Sequence, residues 1–349
     1  MGKNSITREK MRKGLIFPKE IIVGISVVTL ILLSLNVVTA DVTQTTSNYS
    51  EGYPSLIAST PQESIEITSD YNFTDYGFPG IGTAEDPYVI EGYNITTTDE
   101  NGIYITETTK HFIIRNCYVD AFRMGIFIDD VVESTTAIVN NTCTNNQYGI
   151  FVQYSDTSIV FNNTCKENYY HGIMVDTSGS SIIKSNTCTN NDVGICLDDS
   201  PSSTISNNNC TNNNVGIYLC YSNVCVLSYN HLQENSEYGV KLESNGFNVV
   251  HNNNFTDNAY EGSSQAYDDG FRNTWYDTEN LEGNYWSDYD GTGNYSIDGS
   301  AGSADLYPLK EYEESSTSEI QFSFLFALLI FIIFLHLTRI ISSKHAKKQ

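Results

Sequence analysis

An all-β fold, a parallel β-helix solenoid with hydrophobic helices at the chain ends, is predicted by three features of this 349-residue sequence. The first is a recurring Gly-Ile-x-Ile segment or close aliphatic variant. Its glycines are Gly102, Gly125, Gly149, Gly172, Gly194, Gly216 and Gly239, spaced 23, 24, 23, 22, 22 and 23 residues apart. A period in this range marks a solenoid, whose units bury their apolar faces against one another. The second feature is strict period-two hydrophobicity after each glycine, and the third is an asparagine at fixed places in the turns.

The strand after each glycine follows from aligned columns. Ile103, Ile126, Ile150, Ile173, Ile195, Ile217 and Val240 come one residue later, and Ile105, Ile128, Val152, Val175, Leu197, Leu219 and Leu242 come three residues later. Both columns therefore share one strand face. A second inward column runs Cys117, Cys143, Cys165, Cys188, Cys210, Leu232 and Phe255, with Phe112, Ile138, Val160, Ile183, Ile205, Leu227 and Val250 about five residues before it. Each unit thus holds at least two short strands. Brief Ile- and Val-rich strands separated by Asn and Gly suit a parallel β-helix, whereas helical repeats need longer amphipathic runs.

The turns belong to asparagine. Asn141, Asn163, Asn186, Asn208, Asn230 and Asn253 precede the second column by two residues, and Asn146, Asn168, Asn191, Asn213, Asn235 and Asn258 follow it by three. Strands in a sheet lie about 4.8 Å apart, so identical amides on successive units are expected to bond into ladders. Asn also tolerates the left-handed conformation that sharp corners require.

Several blocks outside the repeat carry a resemblance. Gly77 to Thr96 (GFPGIGTAEDPYVIEGYNIT), Ala266 to Gly270 (AYDDG), Gly283 to Asp288 (GNYWSD) and Leu306 to Leu309 (LYPL) stand in the order found in NosD-like proteins. The chain resembles that family from about Ile65 to Pro308. The resemblance implies a right-handed β-helix, frequently on archaeal cell surfaces, with copper delivery suggested by the family name and sugars by its repeats. The residues themselves offer copper little. Between Asp41 and Glu319 the methionines are Met124 and Met174, and His111, His171, His231 and His251 share no pair spacing. No metal ligand is carried over from the family.

The ends place the repeat outside a membrane. Lys3, Arg8, Lys10, Arg12, Lys13 and Lys19 precede an apolar run from Ile21 to Val38, and Val38-Thr39-Ala40 resembles an export cleavage site. Residues 1–40 read as a signal peptide or a signal anchor. Residues 41–64 read as a flexible lead-in, 65–310 as the capped β-helix and 311–319 as a stalk. Residues 320–337 read as a transmembrane helix, and 338–349 as a basic cytoplasmic tail, since positive charge stays inside. Between the two apolar ends stand 40 acidic and 8 basic residues. That balance excludes nucleic acid as a partner.

Modification and thiol chemistry have separate signatures. Asn-x-Ser/Thr sites occur at Asn48, Asn72, Asn94, Asn140, Asn162, Asn209, Asn254 and Asn294, and those within the repeats are expected to point outward. The repeated cysteines read as a buried thiol stack, because parallel side chains suit a bridge poorly. Cys220 and Cys225 are the pair expected to oxidise.

Three surface features are candidate sites. An acidic turn carries Asp176, Asp198 and Asp199; such carboxylates serve glycoside hydrolysis, and equally make a solvated edge with weak cation affinity. An outward stripe of Tyr104, Phe127, Phe151, Met174, Cys196, Tyr218 and Lys241 offers rings to sugars or to a partner, or lies under a covering segment. Asp288, Asp290 and Asn294 form a Gly-rich turn with the oxygen ligands of a calcium loop but without its terminal Glu. The leading expectation is a membrane-anchored, non-enzymatic surface β-helix that binds glycans, cations or envelope proteins. A polysaccharide hydrolase or lyase is the rival, and an accessory in copper-enzyme maturation is the third reading.

Overall fold

A computed structural model describes residues 61–259 and 262–311. The expected signal, membrane helix and tail, the lead-in up to residue 60, the stalk after residue 311 and Asn48 lie outside these residues, while Pro61–Gln62, expected in the lead-in, already pairs as a strand with Asn94 and Ile95. Among the described residues no helix is long and apolar enough to cross a membrane.

The described chain is a parallel β-solenoid of about eight coils, each with three strands. One representative coil runs through His171–Asp176, Ile182–Lys184 and Thr187–Thr189. Corresponding strands stack into three parallel sheets of nine, eight and ten strands, here called sheets B, C and A in chain order. The second inward column therefore spans two sheets rather than one strand pair.

Alternation explains why these short segments hold. Along His171–Asp176 the side chains of Ile173 and Val175 are fully buried, while Met174 and Asp176 face outward. Fully burying each such residue stabilises by about 1.5–3 kcal/mol. The inward residues of all three sheets form one continuous core from Ile65 to Ile297.

The glycine column has a packing cause. A Cβ at Gly194 would stand 2.5 Å from the carbonyl oxygen of Gly216 on the next coil. Equivalent contacts recur from Gly125 to Gly216, so any side chain in this column would run into the backbone of the next coil.

Both asparagine ladders are present. Asn163 Nδ2 donates to Asn186 Oδ1 at 3.1 Å, Asn186 to Asn208 at 3.0 Å and Asn208 to Asn230 at 2.9 Å. Each acceptor oxygen also receives the backbone N–H of the preceding ladder residue, as in Asn163 N to Asn186 Oδ1 at 2.9 Å. The left-handed corner residue is not the ladder asparagine, as expected, but the one before it: Asn162, Ser185 and Asn207 have φ of 54°, 57° and 56°. A serine ladder at the corner from sheet B to sheet C was not anticipated. There Ser155 N, Ser178 N and Ser200 N donate to the hydroxyls of Ser178, Ser200 and Ser222 at 2.8, 3.0 and 2.9 Å.

Register corrects the cysteine assignment. Cys143, Cys165, Cys188 and Cys210 do stack, but Cys143 pairs with Val119 rather than Cys117. Cys117 takes a ladder position instead, its N–H donating to Asn141 Oδ1 at 3.0 Å. The same two-residue offset pairs Ile114, not Phe112, with Ile138. All eight cysteines are free. Cys220 faces outward in register with Asp198 and Glu243, whereas Cys225 is buried at the serine corner. The expected oxidation of that pair fails because the two side chains lie on opposite sides of the coil wall.

Aromatic plugs close both ends. Phe73, in the helix Asn72–Asp75, stacks on Tyr88 at 4.6 Å. At the other end Phe255, Trp286 and Tyr295 stack with successive centroids 4.0 Å apart.

Candidate functional site

Sheet B presents three outward rows along the coil axis. In the middle row Tyr104, Phe127, Phe151, Met174, Cys196, Tyr218 and Lys241 are in register from coil to coil. Their rings stand differently from the sequence expectation. Tyr104 and Phe127 stack at 5.1 Å with planes 14° apart, and Phe127 and Phe151 stack at 5.1 Å and 25°. Phe127 is thus stacked on both faces, and Tyr104 and Phe151 each give one face to it. Cys196 is buried among Val193, Val215, Met174 and Tyr218.

The acidic row borders this stripe. Thr106, Asp129, Gln153, Asp176, Asp198, Cys220 and Glu243 follow in register. Gln153 Nε2 donates to Asp176 Oδ2 at 2.8 Å, and the Thr177 hydroxyl donates to Asp176 Oδ1 at 2.9 Å. Asp198 has the less favourable setting. Burial, then the neighbouring Asp176 and Asp199, pushes its carboxyl above the ordinary Asp range. Asp199 is exposed at a left-handed turn position, φ 44°, so of the three expected acids two share the row and one stands beyond it.

A cation approaches the far end of the row, which sequence reasoning missed. Lys241 Nζ lies 3.1 Å from Glu243 and 3.5 Å from Glu237, and 5.5 and 5.7 Å from the ring centres of Tyr218 and Tyr267. The Tyr218 hydroxyl donates to the Glu243 carboxylate. Burial works against ionisation of Glu243, but the Tyr218 hydroxyl and Lys241 outweigh it and hold the carboxyl below its usual range. Lys241 thus closes the acidic row with an ion pair.

The exposed rings lie one residue beyond the acids. Tyr154 and Tyr221 are 55% and 58% exposed at the left-handed position that Thr177 and Asp199 occupy on the two coils between them. The sequence signal was a tyrosine five residues after Gly149 and after Gly216. Side chains that accept hydrogen bonds, bracketed by solvent-facing rings, match the chemistry of a sugar surface.

The calcium turn is organised otherwise. Asp288 Oδ1 accepts from Gln265 Nε2 at 2.6 Å and Oδ2 from the Tyr295 hydroxyl at 3.1 Å. Gln265 is itself the acceptor for Asn258 at 3.1 Å, so Asp288 terminates an asparagine ladder. Asp305 terminates the other, receiving the backbone N–H of Asn284 at 2.6 Å and Trp286 Nε1 at 3.0 Å. Asp290 Oδ1 accepts from Thr292, and Asn294 is exposed. Asp288 and Asp290 thus both accept hydrogen bonds from within the protein.

Copper fares no better on the donors present. His171, His231 and His251 project from sheets B, A and C respectively. Burial pushes the thiols of Cys165, Cys188 and Cys210 well up, away from the thiolate a metal needs. Among the described residues no group of three or more His, Cys, Asp or Glu is gathered to hold a metal ion. These residues do not fit a copper site.

Glycan acceptor positions divide. Asn162 and Asn209 are exposed, whereas Asn254, in the same outward row as Asn209, is only 9% exposed because it bonds the neighbouring His231 Nδ1 at 3.0 Å.

The family comparison rests on most of the coil stack. Residues 84–291 match the family described as periplasmic copper-binding protein (NosD). The chain belongs to the NosD family. Membership brings an exterior, periplasmic-type setting for the solenoid, while among the described residues no gathered side chains match the copper of the family description. No curated protein matches the chain. Among solved structures, the periplasmic alginate epimerase AlgG is similar at 21% identity, with a TM-score of 0.48, over 54% of this chain and 49% of that one. The A-module of an Azotobacter vinelandii mannuronan C-5 epimerase shares 13% identity over 57% of this chain and 68% of that one, TM-score 0.42. PfbA, a surface adhesin of Streptococcus pneumoniae, shares 12% over 65% and 69%, TM-score 0.39. The chain spans about half the length of AlgG. At these identities the likeness is one of fold.

Proposed function

We propose that this chain is an exterior, membrane-anchored β-helix that holds glycans along the acidic edge of sheet B without cleaving them. The observation that carries the reading is the in-register run Gln153, Asp176 and Asp198 between the exposed rings of Tyr154 and Tyr221. Neutral or amino-bearing sugars suit this edge, because its carboxylates repel acidic ones. The basic flanks of the two apolar ends support anchoring with the coils outside. An array of neutral, amino and acidic glycans probed with the purified chain tests the reading. Retention of neutral or amino glycans, lost in a Tyr154→Ala, Tyr221→Ala double variant, is the expected result. No retention, or retention unchanged in that variant, overturns it.

A hydrolase is the second reading, favoured by the raised pKa of Asp198, the property a general acid requires. Products released from a bound glycan and abolished by Asp198→Asn would establish it.

A further inference from the structure

The outer side of sheet C is unlike the rest of this surface. Seven of the eight residues in one in-register outward row are Val, Ile or Ala, and Thr204 is the exception. Ile113, Ile159, Ile182, Val226 and Val249 in that row are all partly exposed. In the neighbouring outward row the one acid is Glu91, paired with Arg115 at 3.0 Å. Sheet B, by contrast, places Asp129, Asp176, Asp198 and Glu243 outward, and the matching rows of sheet A are largely Thr and Asn.

The apolar surface continues onto the adjoining corner. Phe247 and Phe271 are 52% and 59% exposed, with centroids 5.9 Å apart, and Arg272 lies 4.9 Å over the Phe271 ring. Val224 and Phe247 hold left-handed backbone at φ 60°, where earlier coils place Thr157, Ser180 and Ser202. A β-branched or bulky side chain is strained there. That corner therefore carries two exposed apolar side chains where the earlier coils carry hydroxyls.

We propose that two copies of this chain pack sheet C against sheet C, as an isologous pair related by a two-fold axis near Ile159 and Ile182. Charge selects the occupant. With 40 acidic and 8 basic residues between Asp41 and Glu319, two copies repel wherever the acids point outward, and sheet C is the apolar face that lacks them. Val and Ile rows offer a sugar no hydrogen bonds, and flat outward rows suit face-to-face packing of sheets about 10 Å apart. Area sets the strength. Eight strands at about 4.8 Å by about 10 Å of width give roughly 350 Å² per copy before the corner is added. That is under the about 800 Å² per partner of a standard stable interface. The pair therefore forms in a concentration-dependent way.

Sedimentation velocity of the full chain in detergent, over a wide concentration series, tests this. The expected result is a shift from one copy to two as concentration rises. Ile182→Asp and, separately, Thr204→Asp at an exposed position are expected to hold the chain as single copies, with circular dichroism confirming the fold. Ile182→Lys is expected to do the same alone, and mixing it with Ile182→Asp to restore pairing. Single copies at every concentration, or pairing that ignores these charges, overturns the proposal. So does single-copy protein whose sheet C variants lose binding to phosphatidylcholine vesicles, which reassigns the face to lipid.

Discussion

Asp198 stands beside Asp176 one strand along sheet B, in register, with both side chains on the outer face. The pair carries a stability consequence with a definite sign. A carboxyl raised in the folded state is best accommodated protonated, so its contribution is fully present below the ordinary Asp range and is lost as pH rises through the folded value. Asp198→Asn is therefore expected to raise Tm at pH 7, with the gain vanishing as the pH falls to about 3. Solvent screening limits the effect to about 1 kcal/mol or less. Scanning calorimetry at the two pH values checks it, and a loss of stability at pH 7 would contradict the assigned shift.

The ladders predict a much larger cost for a neutral change. Asn186→Ala removes the acceptor for Asn163 N and Asn163 Nδ2 and the donor to Val160 O, all buried. Unfolding in urea is expected to show a loss of about 3 kcal/mol or more.

Because Asp288 closes a ladder, calcium is expected to leave Tm unchanged, while Asp288→Ala lowers stability by about 1–3 kcal/mol by removing the carboxylate to which Gln265 Nε2 and the Tyr295 hydroxyl donate. A calcium-dependent rise in Tm in the unaltered chain, lost in Asp288→Ala, would restore the loop to a metal role.

Gly194→Ala is expected to cost about 1–3 kcal/mol, because the new methyl meets the Gly216 carbonyl and Asn213 Nδ2. Gly179→Ala, where the nearest atom is 3.0 Å away, is the milder control in the same thermal melt.

Thiol labelling separates Cys220 from its fellows. Burial pushes Cys117 and Cys225 up to about 11 and Cys165, Cys188 and Cys210 well up, whereas Cys220 is half-exposed. One of the eight cysteines is expected to react in the native chain and all eight after denaturation without reductant. Six after denaturation would show a Cys220–Cys225 bridge.

Periodicity made the coil legible, because spacing at 22 to 24 residues reports stacking directly. The inward Ile and Val columns and both asparagine ladders were readable for that reason. What spacing cannot show is a shift of register within one coil, which moved Cys117 from the thiol stack into a ladder. Nor does it show how neighbouring rings orient: Tyr104, Phe127 and Phe151 face outward as their parity requires, yet stack on one another. Lys241 was visible as a residue of the stripe, but its reach to Glu243 depends on side-chain length across the sheet. The serine corner was the avoidable omission, since Ser155, Ser178, Ser200 and Ser222 repeat at 23, 22 and 22 residues.

The amide rows also give the array a direction. Each side-chain bond between ladder residues runs from one coil to the following one, and both rows finish on a carboxylate, Asp305 or Asp288, that has nothing to pass on. An interior coil hands its successor the same set of groups it receives from its predecessor, so duplication or loss of a whole coil leaves every junction chemically matched. The terminal segments have no such freedom. Evolution can lengthen or shorten this protein from the middle, in steps of one coil, while its two ends stay fixed.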